Sequence, residues 1–108
     1  MRRGLWIDPL GATVLFSDWA EQWRATTVDL RPSSRVRDLG YLERYLLPQF
    51  GTMALGDIRF MTVRTWISEL STSGLAPSTV TKAGQLMSKI MRSAIQAGLV
   101  TSSPCDRT

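Results

Sequence analysis

The strongest constraint on this chain is a helical period that recurs along most of its length. In the stretch 77–98, PSTVTKAGQLMSKIMRSAIQAG, the apolar residues Val80, Ala83, Leu86, Met87, Ile90, Met91 and Ala94 return every three or four positions. At about 100° per residue they line one broad face of an α-helix, as in a segment packed on a core. Opposite them, Ser78, Lys82, Gln85, Lys89, Arg92 and Gln96 fall within an arc of roughly 80°. The nearest carboxylates in the chain are Glu69 before the stretch and Asp106 after it. A face of cations and amides without carboxylate fits a polyanion, DNA first among them. On this helix alone a solvated face that keeps the domain soluble comes first, since most charged stripes are solvated.

The same period appears upstream. Phe16, Trp19, Ala20 and Trp23 predict a first helix from about Phe16 or Ser17 to Thr26, with Ser17 or Thr13 as its cap. Both Trp lie on its only apolar face, which assigns them to the core rather than to base stacking. A second helix is predicted from Pro32-Ser33-Ser34, capped by Ser33 or Ser34 and stopped by Pro48. Leu39, Leu42 and Leu46, with Val36 and Tyr45, mark its inward side. Arg35, Arg37 and Arg44 are its outward candidates, with Ser34, Asp38 and Tyr41 near them. Gly40, which costs about 1 kcal/mol against Ala in mid-helix, offers another helix a close approach.

Residues 48–57, PQFGTMALGD, read as an ordered connector anchored by Phe50, Met53, Leu55 and Ile58. Thr62 then caps a third helix through about Ser71, striped by Val63, Trp66, Ile67 and Leu70. Its Arg64 and Glu69 nearly cancel, so it is assigned to structure. Gly74 closes it and Gly98 closes the fourth helix, as C-terminal glycines do. Basic charge therefore sits on two helices. Four Arg against Asp38 and Glu43 leave +2 in 31–45, and Lys82, Lys89 and Arg92 give +3 in 77–98.

One domain is all that 108 residues call for, and no segment alternates as a strand does. The expected architecture is all-α: a compact four-helix bundle at 16–100, an extended N-terminal strap at 1–15, and the start of a linker at 101–108. A net charge of +4 suits nucleic acid or an acidic surface. With no His and one Cys in the sequence, most metal sites and general-base arrangements lack their usual residues. The lone Cys105 suits a reducing cytosol. No apolar run reaches the roughly 18 residues of a membrane span.

Several short stretches, in this order, resemble one family. Trp6-Ile7-Asp8-Pro9 with Gly11, then Phe16 through Trp23, resembles its opening and aromatic first helix. Arg31-Pro32-Ser33-Ser34 is similar to its "K-P-S-T", with Ser34 where Thr is usual. Leu47-Pro48-Gln49-Phe50-Gly51, followed by Leu55 and Ile58, resembles its link to the third helix, although Thr62 falls slightly late. Gly74-Leu75-Ala76-Pro77-Ser78-Thr79 and Ala97-Gly98-Leu99-Val100 with Ser103-Pro104 are similar to "G-L-S-P-S-T" and "G-L-I-x-x-N-P", Ser103 replacing Asn. The family is the core-binding, SAM-like N-terminal domain of phage-type tyrosine recombinases, the integrases.

That resemblance implies a DNA-binding domain that grips core-type attachment-site DNA for site-specific recombination and genome integration. Helices matching the second and fourth lie across the major groove. A larger catalytic domain, absent here, completes a C-shaped clamp and supplies the Tyr nucleophile, so this fragment is expected to bind DNA and catalyse nothing. Tyr41 and Tyr45 are assigned to packing or a phosphate contact. The DNA-binding candidates are Ser34, Arg35, Arg37, Arg44, Ser78, Lys82, Gln85, Lys89 and Arg92, with neither metal nor cofactor. Arg2 and Arg3 are weaker phosphate candidates in the strap. Implied partners are duplex DNA, the catalytic domain in cis and other recombinase protomers in a synaptic complex, in the cytoplasm of a bacterial host. If Met1 is the native start, the parent lacks an arm-binding domain. The competing reading is a helical protein–protein module whose basic face binds an acidic partner.

Overall fold

The structure, a computed structural model, describes residues 11–26 and 32–100, without the side chains of Thr26 and residues 32–35. The strap residues 1–10, with Arg2 and Arg3, and the expected linker 101–108, with Cys105, lie outside the described residues. Five α-helical segments succeed one another: α1 (Phe16–Thr26), α2 (Pro32–Tyr41), α3 (Leu47–Phe50), α4 (Phe60–Thr72) and α5 (Pro77–Gln96). A π-helical turn, Leu42–Leu46, joins α2 to α3 without a break, so the bundle has four rods. The fold is the all-α bundle that the periodicity called for. Among the described residues the only strand-like pairing is an isolated bridge between Leu15 and Ala54.

α5 is the hub, packing against α1, α2, the π turn and α4. All seven residues of its apolar stripe are buried. It starts with Pro77 in the first turn, where a missing N–H costs nothing. Its end is a Schellman motif: Gly98 at φ 79° lets the Leu99 N–H donate to the Ala94 carbonyl at 3.0 Å and its own N–H to Ile95 at 3.0 Å. Gly74, at φ 95°, ends α4 in the same left-handed region.

The second rod departs from its expected course at three places. It begins at Pro32, so Ser33 and Ser34 lie inside the first turn rather than at the cap. It does not stop before Pro48 but runs on to Phe50. A proline inside a helix drives its ring against the carbonyl four residues back, here that of Arg44. Just there the helix loosens to π geometry, with the Leu47 N–H bonded to the Leu42 carbonyl five residues back. The wider turn admits Pro48. Val36, expected inward, is 73% exposed. Asp38, expected outward, is buried. The two stand about 200° apart on a helix, so burying one side exposes the other.

Passing Pro48 delivers Phe50 to the centre of the core. Its ring lies 5.8 Å from Phe16 and 5.0 Å from Trp66, the latter edge-on. The Trp66 indole N–H donates to the Tyr45 carbonyl at 3.0 Å, tying α4 to the π turn. Trp19 donates from its indole to the Ile90 carbonyl and the Ser93 hydroxyl, both at 3.2 Å, tying α1 to α5. Trp23 is buried as well. Tyr41 and Tyr45 pack on the core with ring centroids 5.9 Å apart.

The first N–H groups of α1, orphaned in any helix, donate to backbone: Phe16 to Met53 at 2.8 Å and Ser17 to Gly51 at 3.2 Å. Ser17 thus lies within the helix instead of capping it. The Leu55 N–H returns a bond to the Val14 carbonyl at 2.8 Å, so the connector is zipped to the strand of chain entering α1. Its Leu55 and Ile58 are buried, as expected. Thr62 does not open α4, which starts at Phe60. From the third position its hydroxyl accepts the Arg59 N–H at 3.4 Å.

Two glycines behave oppositely. A Cβ on Gly11 would stand 2.6 Å from the Leu99 backbone, whereas one on Gly40 would meet nothing within 4 Å. Gly40 therefore provides no close helix approach. Replacing Gly40 by Ala should stabilise the domain by about 0.5–1 kcal/mol in urea melts. Replacing Gly11 by Ala should cost about 1–3 kcal/mol, because backbone rather than a movable side chain must give way.

Candidate nucleic-acid interface

Where α2 crosses α5, a groove of about 270 Å³ opens between Arg37, Asp38 and Tyr41 on one wall and Lys82, Gln85, Leu86 and Lys89 on the other. Its cations come from two helices because each turns one polar arc toward the other. On α5, Lys82, Gln85 and Lys89 are exposed, while Leu86, Met87 and Ile90 beneath them are buried. The α5 arc read from the sequence is thus intact on the surface.

The groove has a carboxylate at its floor. Asp38 is only 7% exposed, and among the described residues it is the one buried polar or charged residue. Its Oδ2 accepts a hydrogen bond from Lys89 Nζ at 3.3 Å, and its Oδ1 lies 3.7 Å from Arg37 Nε. The Lys89 ammonium also sits 5.9 Å from the centroid of the Trp23 ring, within reach of a cation–π attraction. Lys89 is therefore held from two sides before any ligand arrives. Sequence reasoning did not find this cluster. Trp23, Asp38 and Lys89 come from three different helices, and no local spacing signals their meeting.

The other candidates are dispersed. Ser78 is exposed at the start of α5. Arg92, also exposed, donates to the Ser88 hydroxyl at 3.2 Å. The side chains of Ser34 and Arg35 lie outside the described residues. Arg44 lines a different groove, with Tyr45, Pro48, Gln49, Trp66, Glu69 and Leu70. The π turn explains this separation: its extra residue rotates the later part of the rod by about 100° relative to α2. Gln85 has two settings, because it also borders a groove of about 470 Å³ between α4 and α5. That groove is lined by Phe60, Val63, Arg64, Ile67, Val80, Thr81, Gly84, Gln85 and Ser88, with no carboxylate. Arg64, assigned only to structure by its sequence context, stands 5.9 Å over the Phe60 ring there.

Taken together these elements make a small helical domain with a cation-bearing groove where one long helix meets the rod crossing it. The family model of the phage integrase central domain matches residues 16–108, and the chain belongs to that family. No curated protein matches it. Among solved structures it is similar to the solution NMR structure of an integrase-like domain from Bacillus cereus. The two are 19% identical, with a TM-score of 0.84, over 94% of this chain and 86% of that one. At this identity the likeness establishes the fold. Among the described residues no helix is long and apolar enough to cross a membrane.

The Asp38–Lys89 contact makes Lys89 unequal to Lys82 in stability. Lys89→Met should destabilise the domain by about 1–2 kcal/mol by leaving a buried carboxylate half-compensated. Lys82→Met should stay within about 0.5 kcal/mol of the parent. Paired thermal melts of the two variants check this.

Proposed function

We propose that this chain is the DNA-gripping domain of a site-specific tyrosine recombinase, and that α5 and α2 meet the duplex across their shared groove. The observation that carries the reading is the exposed α5 arc, Lys82, Gln85 and Lys89, lying beside Arg37 of the crossing rod. An α-helix about 10–12 Å across fits the roughly 12 Å major groove of B-DNA. Membership of the integrase family supports DNA as the polyanion.

In this arrangement Lys82, Lys89, Arg37 and Arg92 meet phosphates, and Gln85 and Ser78 reach base edges, Gln85 with the geometry that suits adenine. Ser34 and Arg35 extend the contact along α2. Arg44 takes no part in this groove and would meet a phosphate only where the duplex continues past the π turn. The chemistry belongs to a catalytic domain acting in cis, and further protomers join in the synaptic complex. Alone, this half of a clamp should bind weakly, near the roughly 10⁻⁴–10⁻⁶ M of sequence-independent contacts.

Amide shift mapping with a short duplex tests the interface, with perturbed signals expected on α2 and α5. In salt titrations Lys82→Ala should lower the slope of log K against log salt by about 0.9. Gln85→Ala should relax sequence preference, by about 1–3 kcal/mol at one base pair, at little cost to random-sequence binding. If both variants bind as the parent does across low to moderate salt, the face is only solvated. Equal binding of polyglutamate, run as a control, would favour an acidic protein partner.

A further inference from the structure

We propose that Asp38 is a built-in competitor for the DNA phosphates, holding Lys89 in place and restraining the affinity of the groove for any duplex. The inference rests on the reading of this groove as a DNA interface and adds a residue that weakens the contact. Its basis is the placement of the carboxylate. Asp38 is buried beneath the groove, yet it contacts the two cations nearest the floor, Lys89 at 3.3 Å and Arg37 at 3.7 Å. Lys82, on the same helix face, makes no ion pair among the described residues.

A carboxylate here does what a phosphate oxygen would do: it accepts from the ammonium and neutralises it. DNA must then either draw Lys89 away from Asp38 or settle for a cation already half-neutralised. Either way the gain from releasing a counterion at that position is reduced. The side chain of Lys89 is 46% exposed, so the ammonium has a free side from which to make the exchange. The Trp23 ring, 5.9 Å away, keeps it over the groove while it does so. The effect is uniform across sequences, because the competition is for charge. Binding to random DNA is damped, and discrimination is left to residues such as Gln85.

The test compares the parent, Asp38→Asn, Lys89→Met and the double variant on a fluorescent random-sequence duplex over a range of salt. Asp38→Asn should bind about three- to tenfold tighter near 0.1 M salt, with a slope steeper by about 0.9. In the Lys89→Met background the same substitution should lose most of that gain. Asp38→Asn binding no tighter than the parent, or gaining as much without Lys89 as with it, would overturn the proposal. The carboxylate then only fastens α2 to α5. A second readout needs no variant: the ¹³Cγ signal of Asp38 in the parent should move as duplex is added, and an unmoved signal in the bound state counts against competition. A parent that fails to bind duplex even at low salt removes the DNA reading itself. That result is distinct, because it appears before any variant is made.

Discussion

Much in this structure depends on Phe50 reaching the middle of the core. The ring touches Phe16 of α1 on one side and Trp66 of α4 on the other, so three of the four rods are joined through it. It gets there because the second rod does not end at its proline. The π turn absorbs the strain Pro48 would impose, and the Trp66 indole bonds to a carbonyl of that same turn. Aromatic contacts of this kind add about 0.5–1.5 kcal/mol beyond the area they bury. Their larger effect is to fix angles, holding the far end of the second rod against α1 and α4.

α5 serves the core and the surface at once. Its inward stripe is fully buried, while Lys82, Gln85 and Lys89 look out over a groove on one side and Gln85 borders a second on the other. Gly84 makes room on the α4 side, where an added Cβ would come within 3.2 Å of Ile67 Cδ1. A helix this tightly held presents its polar residues with little freedom to shift, which suits contacts that depend on register.

The rods were legible because their stripes repeat over two or more turns. α1, α4 and α5 need only the local period, and their buried residues are those the period names. The second rod was legible as a helix but not in phase. Val36 and Asp38 precede the π turn, and the α period alone sets Asp38 about 40° and Val36 about 120° from buried Leu42; they were misplaced because the stripe was centred on Leu39. A π turn leaves no mark in a hydrophobic pattern beyond a proline that ought to stop the helix, so Arg44 was grouped with Arg37. For the interface, the α5 arc could be read directly, since one helix carries it whole. The cage around Lys89 could not, because it forms only when three helices pack. The backbone acceptors at 51 and 53 that receive the Phe16 and Ser17 N–H groups could not be read for a related reason, since they come from a distant part of the chain.

The contact between Gly11 and the Leu99 backbone closes the described chain almost into a ring. Any segment joined before 11 or after 100 is attached to the body at one corner. Segments continuing from either end would therefore set out side by side from the same corner of the body.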